Sequence, residues 1–197
     1  KKTGFQLKKI SAVISEIPQV NGAQLALALW ISKQYFAPLG QSLKTVLPPF
    51  FSRRGYRAIL PTRSKRGPSP HKPLIIVSRA KESVGRVRPF ILQALQDGGQ
   101  ALVVTPELTA IQYFVDALND LEPILLHSGI RPKEHAGRLN GIASGIVRLV
   151  IGTRTALFAP FKNLRLILLD DPNHEFYRSD MTPRYSGPDV ARKVAEQ

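Results

Sequence analysis

From Pro73 onward, five short apolar runs alternate with longer amphipathic stretches, and this alternation narrows the possible folds more than any other feature of the chain. The strand-like runs are Leu74–Val77, Ala101–Thr105, Ile124–Leu126, Val147–Ile151 and Leu164–Leu169. Helical spacing fills the gaps near Arg86–Gln96, Glu107–Leu121, Arg131–Ser144 and Thr153–Leu157. Runs that are apolar at every position suit strands covered on both faces, as in a parallel sheet flanked by helices. Right-handed crossovers then predict an open, doubly wound α/β domain whose ligands sit at the carboxyl ends of the strands.

Upstream the pattern is different. Leu7, Ile10, Val13, Ile14 and Ile17 follow helical spacing up to Pro18, a second helix is predicted over 23–36, and a third over Gln41–Leu47 before Pro48-Pro49. Three short helices with tight turns and basic flanks suit a winged-helix or helix-turn-helix module, and any small helical bundle would read the same way. Between Arg53 and Lys72 stand seven Lys or Arg and no acid, among several Pro and Gly. Such a stretch has too little apolar material for a core of its own. It reads either as a cationic tether that tracks phosphates or as a solvated connector. The predicted organisation is a helical unit over 1–52, a basic Pro-rich linker over 53–73 and an α/β lobe over 74–197. The chain opens on Lys1 rather than Met and stops in mid-helix at Gln197, which reads as an excerpt of a longer protein.

Charge points to the partner class. Lys and Arg total 28 against 14 acids, a net charge of +14, and a polyanion is the natural counterpart. No apolar run approaches the roughly 20 residues of a membrane span, so no membrane partner and a cytoplasmic location are expected. The chain has no cysteine, which removes disulfides and thiolate metal sites.

The last strand-like run ends in Asp170-Asp171. Adjacent acids at a strand's carboxyl end suit a Walker B motif, where the first carboxylate orients Mg²⁺, although an acidic capping turn fits equally well. The glycine-rich loop that such a site requires is missing. After Leu74–Val77 the chain reads Ser-Arg-Ala-Lys-Glu-Ser-Val-Gly-Arg-Val-Arg-Pro, with Gly85 alone and no Gly-Lys-Thr. Without successive glycines the backbone cannot form an anion nest around phosphate, which leaves Arg86 and Arg88 as the cations in reach. His127 reads as a hydrogen-bonded structural residue, and Thr153 with Arg154 as phosphate contacts at a strand tip.

Several blocks carry a resemblance. Val150–Phe161 reads VIGTRTALFAPF, Pro183-Arg184-Tyr185 follows Asp170 at a matching distance, and Val104–Leu108 and Leu126–Gly129 supply two further motifs. Ala28–Ile31, Ala37–Gly40 and Leu47–Pro49 match upstream. Together these resemble the primosomal protein N′ (PriA) family of superfamily-2 DNA helicases over nearly the whole chain. The resemblance implies a RecA-like, P-loop NTPase-type helicase lobe preceded by a small winged-helix domain. It places the family's 3′-end-binding domain ahead of residue 1, and its zinc site and second lobe beyond residue 197. It also exposes two departures. The family's Gly-Lys-Thr falls on Arg86-Val87-Arg88, and its Asp-Glu-Glu-His becomes Asp170-Asp171-Pro172-Asn173, with His174 one place late.

The expectation is a DNA-binding replication-restart protein that recognises forks or single-strand/duplex junctions and supports primosome or replisome partners. Its ATPase lobe is expected to be inactive and to hold no cofactor. Arg53, Arg54, Arg57, Arg63, Lys65, Arg66, Thr153 and Arg154 would contact DNA. Asp170 and Asp171 would stand as a degenerate motif II, and Arg86 and Arg88 at the degenerate phosphate loop. An active 3′–5′ helicase using ATP and Mg²⁺, and an interaction scaffold that does not touch DNA, are the alternatives.

Overall fold

The computed structural model describes residues 20–47, 73–78 and 84–197. The predicted helix Leu7–Ile17 and the basic linker lie outside these residues, as do all six linker arginines and lysines named above. Five strands form one all-parallel sheet: β1 (Leu74–Ser78), β2 (Gln100–Val104), β3 (Ile124–Leu126), β4 (Leu149–Gly152) and β5 (Leu164–Asp170), in the order β1-β5-β2-β4-β3. Each predicted strand is present, and the predicted α/β class holds. Helices α3 (Val84–Ala94), α4 (Leu108–Ala117), α5 (Pro132–Ser144) and α6 (Gly187–Ala195) complete the lobe, and α1 (Gly22–Gln34) and α2 (Leu39–Val46) precede it. The predicted helix near Thr153–Leu157 is a single 3₁₀ turn, Arg154–Phe158.

Period-two alternation divides each central strand between two cores. Ala101, Val103, Leu149, Ile151, Leu166 and Leu168 pack against Val87 and Ile91 of α3 and Phe114 of α4. Leu102, Val104, Val150, Ile167 and Leu169 point the other way, onto α5, α6 and α1. β5 is buried on both sides along most of its length, which explains why it reads as unbroken hydrophobic sequence.

The helical segment is not a separate packing unit. Leu27, Ala28 and Ile31 of α1 and Val46 of α2 are buried in the same cluster as Ile167 and Leu169 of β5. Gln24 Nε2 donates to the Phe158 carbonyl at 3.1 Å in a buried contact, and Tyr35 Oη donates to Asp189 Oδ2 at 3.2 Å while accepting from Ser186 N at 3.1 Å. The predicted division between 1–52 and 74–197 is therefore not a division of the hydrophobic core. Asn21 starts α1 with a reciprocal capping box, accepting from Gln24 N at 2.7 Å while the Gln24 side chain accepts from Asn21 N at 3.2 Å.

One buried polar side chain ties together the amino-terminal edge of the sheet. Gln100 donates through Nε2 to the Ile142 and Val147 carbonyls, at 2.9 and 2.7 Å, and accepts through Oε1 from Lys162 N and Asn163 N, at 2.8 and 2.9 Å. All four of its hydrogen-bonding positions are used, as burial requires. Among the described residues no helix is long and apolar enough to cross a membrane.

The shared core makes a prediction. Ile31→Ala removes a fully buried side chain from the cluster that α1 shares with the lobe, and should cost about 2–5 kcal/mol. Urea unfolding followed by Trp30 fluorescence and by far-ultraviolet circular dichroism should shift by the same amount. A shift in the Trp30 signal alone would show that α1 unfolds apart from the lobe.

Candidate functional site

The carboxyl ends of the strands gather most of the predicted site residues that lie among those described. Asp170 is the last residue of β5, paired in register with Ser78 of β1, and it is 4% exposed. Asp171 follows with φ of 45°, a left-handed turn that aspartate tolerates better than most residues. The chain then folds back over the strand tips. His174 caps the turn Glu175–Tyr177 by accepting from Phe176 N at 3.2 Å through Nδ1, which leaves Nε2 as the donor toward Glu107 Oε1, 3.4 Å away. The histidine displaced by one place from motif II therefore joins the loop after β5 to the loop after β2.

Tyr177, which sequence reasoning did not single out, occupies the centre of this edge. Its hydroxyl lies 2.7 Å from the Val104 carbonyl at the end of β2 and 2.7 Å from the Asp170 carbonyl at the end of β5. One proton serves two acceptors, and the ring is 2% exposed. Burial pushes the hydroxyl's pKa far above its ordinary value, and the charges of Asp170 and Asp171 add to the effect. The available signal was an aromatic residue seven positions after the strand-ending acid, but its acceptors are backbone atoms, which leave no trace in sequence.

The two candidate phosphate cations separate. Arg86 is exposed in the first turn of α3, beside the strand tips. Arg88 does not share that position: its guanidinium pairs with Asp120 and reaches the Ala117 carbonyl at 3.4 Å, joining α3 to the end of α4. In this solvent-accessible ion pair the guanidinium fork engages a carboxylate. Val87 between them is buried in the core. The strand-to-helix loop itself, 79–83, lies outside the described residues.

At the tip of β4 the backbone comes unusually close to β3. A Cβ on Gly152 would stand 2.2 Å from the Leu126 carbonyl oxygen, so only glycine fits there. The following turn presents Thr153 and Arg154. Arg154 Nη1 donates to the Phe176 carbonyl at 2.5 Å, which links the tips of β4 and β5. Tyr185, of the predicted Pro-Arg-Tyr element, is buried edge-on against Phe158 with ring centroids 5.3 Å apart. Its burial raises the hydroxyl's pKa, and the adjacent Arg154 opposes that shift. His127 accepts from Gly129 N at 3.1 Å, which fits the structural role expected of it, and burial lowers its pKa.

Asp170 and Asp171 thus stand at the tip of β5, Arg86 in the first turn of the helix after β1, and Thr153 and Arg154 at the tip of β4. Among the described residues no group of three or more His, Cys, Asp or Glu stands close enough to hold a metal ion. A Mg²⁺ here would take two carboxylates at most and would depend on ligand phosphates for the rest of its shell. Among the described residues, Arg86 is the exposed cation of the first turn of α3.

The buried tyrosine gives a pH prediction. In the unfolded chain Tyr177 ionises near its ordinary value of about 10, whereas the fold holds the proton on. Its contribution is therefore complete below pH 10 and is lost as pH rises above it. Tyr177→Phe should cost about 1–3 kcal/mol at neutral pH, because a buried carbonyl loses its donor. It should also flatten the alkaline decline in stability, leaving the part due to Tyr35 and Tyr185, which are raised as well. Thermal melts between pH 7 and 11 would show both effects.

Comparison with known proteins agrees with these motifs. A family model described as the 3′ DNA-binding domain of PriA matches residues 1–48, the stretch read from sequence as a winged helix. Likeness to that domain thus falls inside the chain, where the resemblance had placed it ahead of residue 1. The replication restart protein PriA of Rickettsia typhi is 28% identical over 214 residues, covering 96% of this chain and 33% of that protein. That of Treponema pallidum is 26% identical over 93% of this chain and 32% of its own length. That of Bacillus subtilis is 34% identical over 54% of this chain and 14% of its length. The chain spans about a third of the length of the curated relatives that it matches along nearly its whole extent. In the order of its motifs and in these matches, the chain is similar to the replication restart protein PriA along nearly its whole extent.

Proposed function

We propose that this chain is the DNA-binding core of a PriA-type replication-restart protein, recognising forked or junction DNA and supporting replisome reloading with an ATPase lobe that no longer turns over. The Arg88–Asp120 pair carries the second half of this reading. It commits to structure one of the two cations that could replace a phosphate-loop lysine. Shortening of the water-activating glutamate to Asp171 moves that carboxylate by about one methylene, a displacement that catalysis tolerates poorly. DNA contact is supported by the net charge of +14, by the 3′ DNA-binding-domain match over residues 1–48 and by the half-buried Thr153 and Arg154 at the tip of β4. A winged-helix reading of the amino-terminal segment, and primosome or replisome proteins as partners, belong to the same proposal.

Two observations favour other readings. Asp170 keeps its place at the end of β5, as an active 3′–5′ helicase with an atypical nucleotide site would require. The exposed Leu25, Leu29 and Phe36 of the helical segment suit a protein-interaction scaffold that does not touch DNA.

ATP hydrolysis with and without forked DNA separates these readings. The expected result is no turnover above background, the same for the chain and for Asp170→Ala, together with tight fork binding. Fork-stimulated hydrolysis abolished by Asp170→Ala would establish the helicase instead. Arg88→Ala should leave any residual nucleotide affinity unchanged, and a fall in that affinity would return Arg88 to the phosphate site. Fork affinity should fall steeply with salt, with a log–log slope near −5 if about six phosphates are neutralised. Fork binding no tighter than that of a bland protein of equal charge would overturn the DNA reading.

A further inference from the structure

Between α2 and the tips of β3 and β4 lies a cavity of about 610 Å³, within the range of small-molecule sites. It is distinct from the tip of β5, where Asp170 and Asp171 stand. The helices after β1 and β2 cover one face of the sheet, and the segments after β3, β4 and β5 cover the other. The crevice created by that switch runs along β1, β5 and β2. None of the cavity's lining residues comes from those three strands.

Its lining has two characters. Leu126, Leu139, Phe158 and Tyr185, each buried in the core, form an apolar floor with an aromatic component. Lys44 of α2 and Arg154 of the β4 tip stand at the rim, against the single acid Asp180. Arg154 is held in place by the Phe176 carbonyl and by its position beside Tyr185. A flat apolar surface with two cations above it is the chemistry that receives a heteroaromatic base and its phosphate, the base by stacking and the phosphate by paired N–H donors.

We propose that this cavity receives one unstacked nucleotide, its base against the Leu139–Phe158 floor and its phosphate between Arg154 and Lys44. The inference rests on the DNA-binding reading above. An acidic apolar peptide shares some of this chemistry. The nucleotide is favoured because one wall of the cavity comes from α1 and α2, the stretch that matches a 3′ DNA-binding domain. A strand lying across the tips of β3 and β4 would meet both walls at once.

The test uses the full chain with two probes: deoxyadenosine monophosphate, and a single-stranded oligonucleotide carrying one 2-aminopurine. Thr45→Trp and Ser128→Trp fill the cavity from opposite walls without altering its charge, and circular dichroism checks that each variant folds. The expected result is a fluorescence change of the base analogue on binding. Both variants should lose affinity for the single strand by about tenfold, the effect of one stacked base, with affinity for blunt duplex unchanged. Loss of monophosphate binding in the same variants would extend the site to free nucleotides, whereas an effect on the oligonucleotide alone assigns it to a strand. Single-strand affinity equal to wild type in both variants overturns the proposal. So does an acidic peptide that depends on the cavity when the strand does not. If the wild-type chain binds no DNA, the function proposed above falls. The cavity then stands as a free-nucleotide site if Thr45→Trp abolishes monophosphate binding, and falls if it does not.

Discussion

A parallel strand buried on both faces needs covering on both faces, and the rest of this molecule follows from how β5 is covered. On one side α3 and α4 suffice. On the other, α5 and α6 share the work with α1, which comes from residues that lie ahead of the basic segment in sequence. Leu27, Ala28 and Ile31 share their buried cluster with Ile167 and Leu169, and apolar burial of about 25 cal/mol per Å² is the main force that holds such a cluster together. The stretch that resembles a 3′ DNA-binding domain is therefore anchored to the lobe through hydrophobic burial, and Gln24, Tyr35 and Asp189 set its orientation.

The sheet was readable because its strands announce themselves. Leu164–Leu169 and Ala101–Thr105 are apolar at almost every position, and only a strand covered on both sides accounts for so short and so continuous a run. The packing of α1 was not readable. Leu25 and Leu29 on one side and Leu27, Ala28 and Ile31 on the other give it apolar residues nearly all round, so its pattern does not say which face is buried. The interruption between 47 and 74, rich in charge and proline, suggested two units, and gave no sign that α1 and α2 share a buried cluster with β5.

The candidate site was readable only in part. Asp170 was found because strand and acid adjoin in sequence, and Arg154 because it stands in a recognisable block. The Arg88 ion pair was not readable because its partner, Asp120, lies 32 residues away, and α3 and α4 must be side by side before the pair can exist. The roles of Tyr177 and Gln100 were hidden for a different reason. Both bond to backbone groups, which every residue possesses, so no side-chain identity elsewhere in the chain marks the contact.

The Tyr177 hydroxyl, between the Val104 and Asp170 carbonyls, adds a side-chain tie across the ends of β2 and β5, which the sheet already pairs. Its ring lies directly over the first residue of α6, where a Cβ on Gly187 would stand 2.7 Å from Tyr177 Cδ1. One side chain thus touches the ends of two strands through its hydroxyl and the start of the last helix through its ring. A side chain larger than hydrogen at 187 would be felt at the strand tips, because the ring it displaces carries the hydroxyl that bonds them.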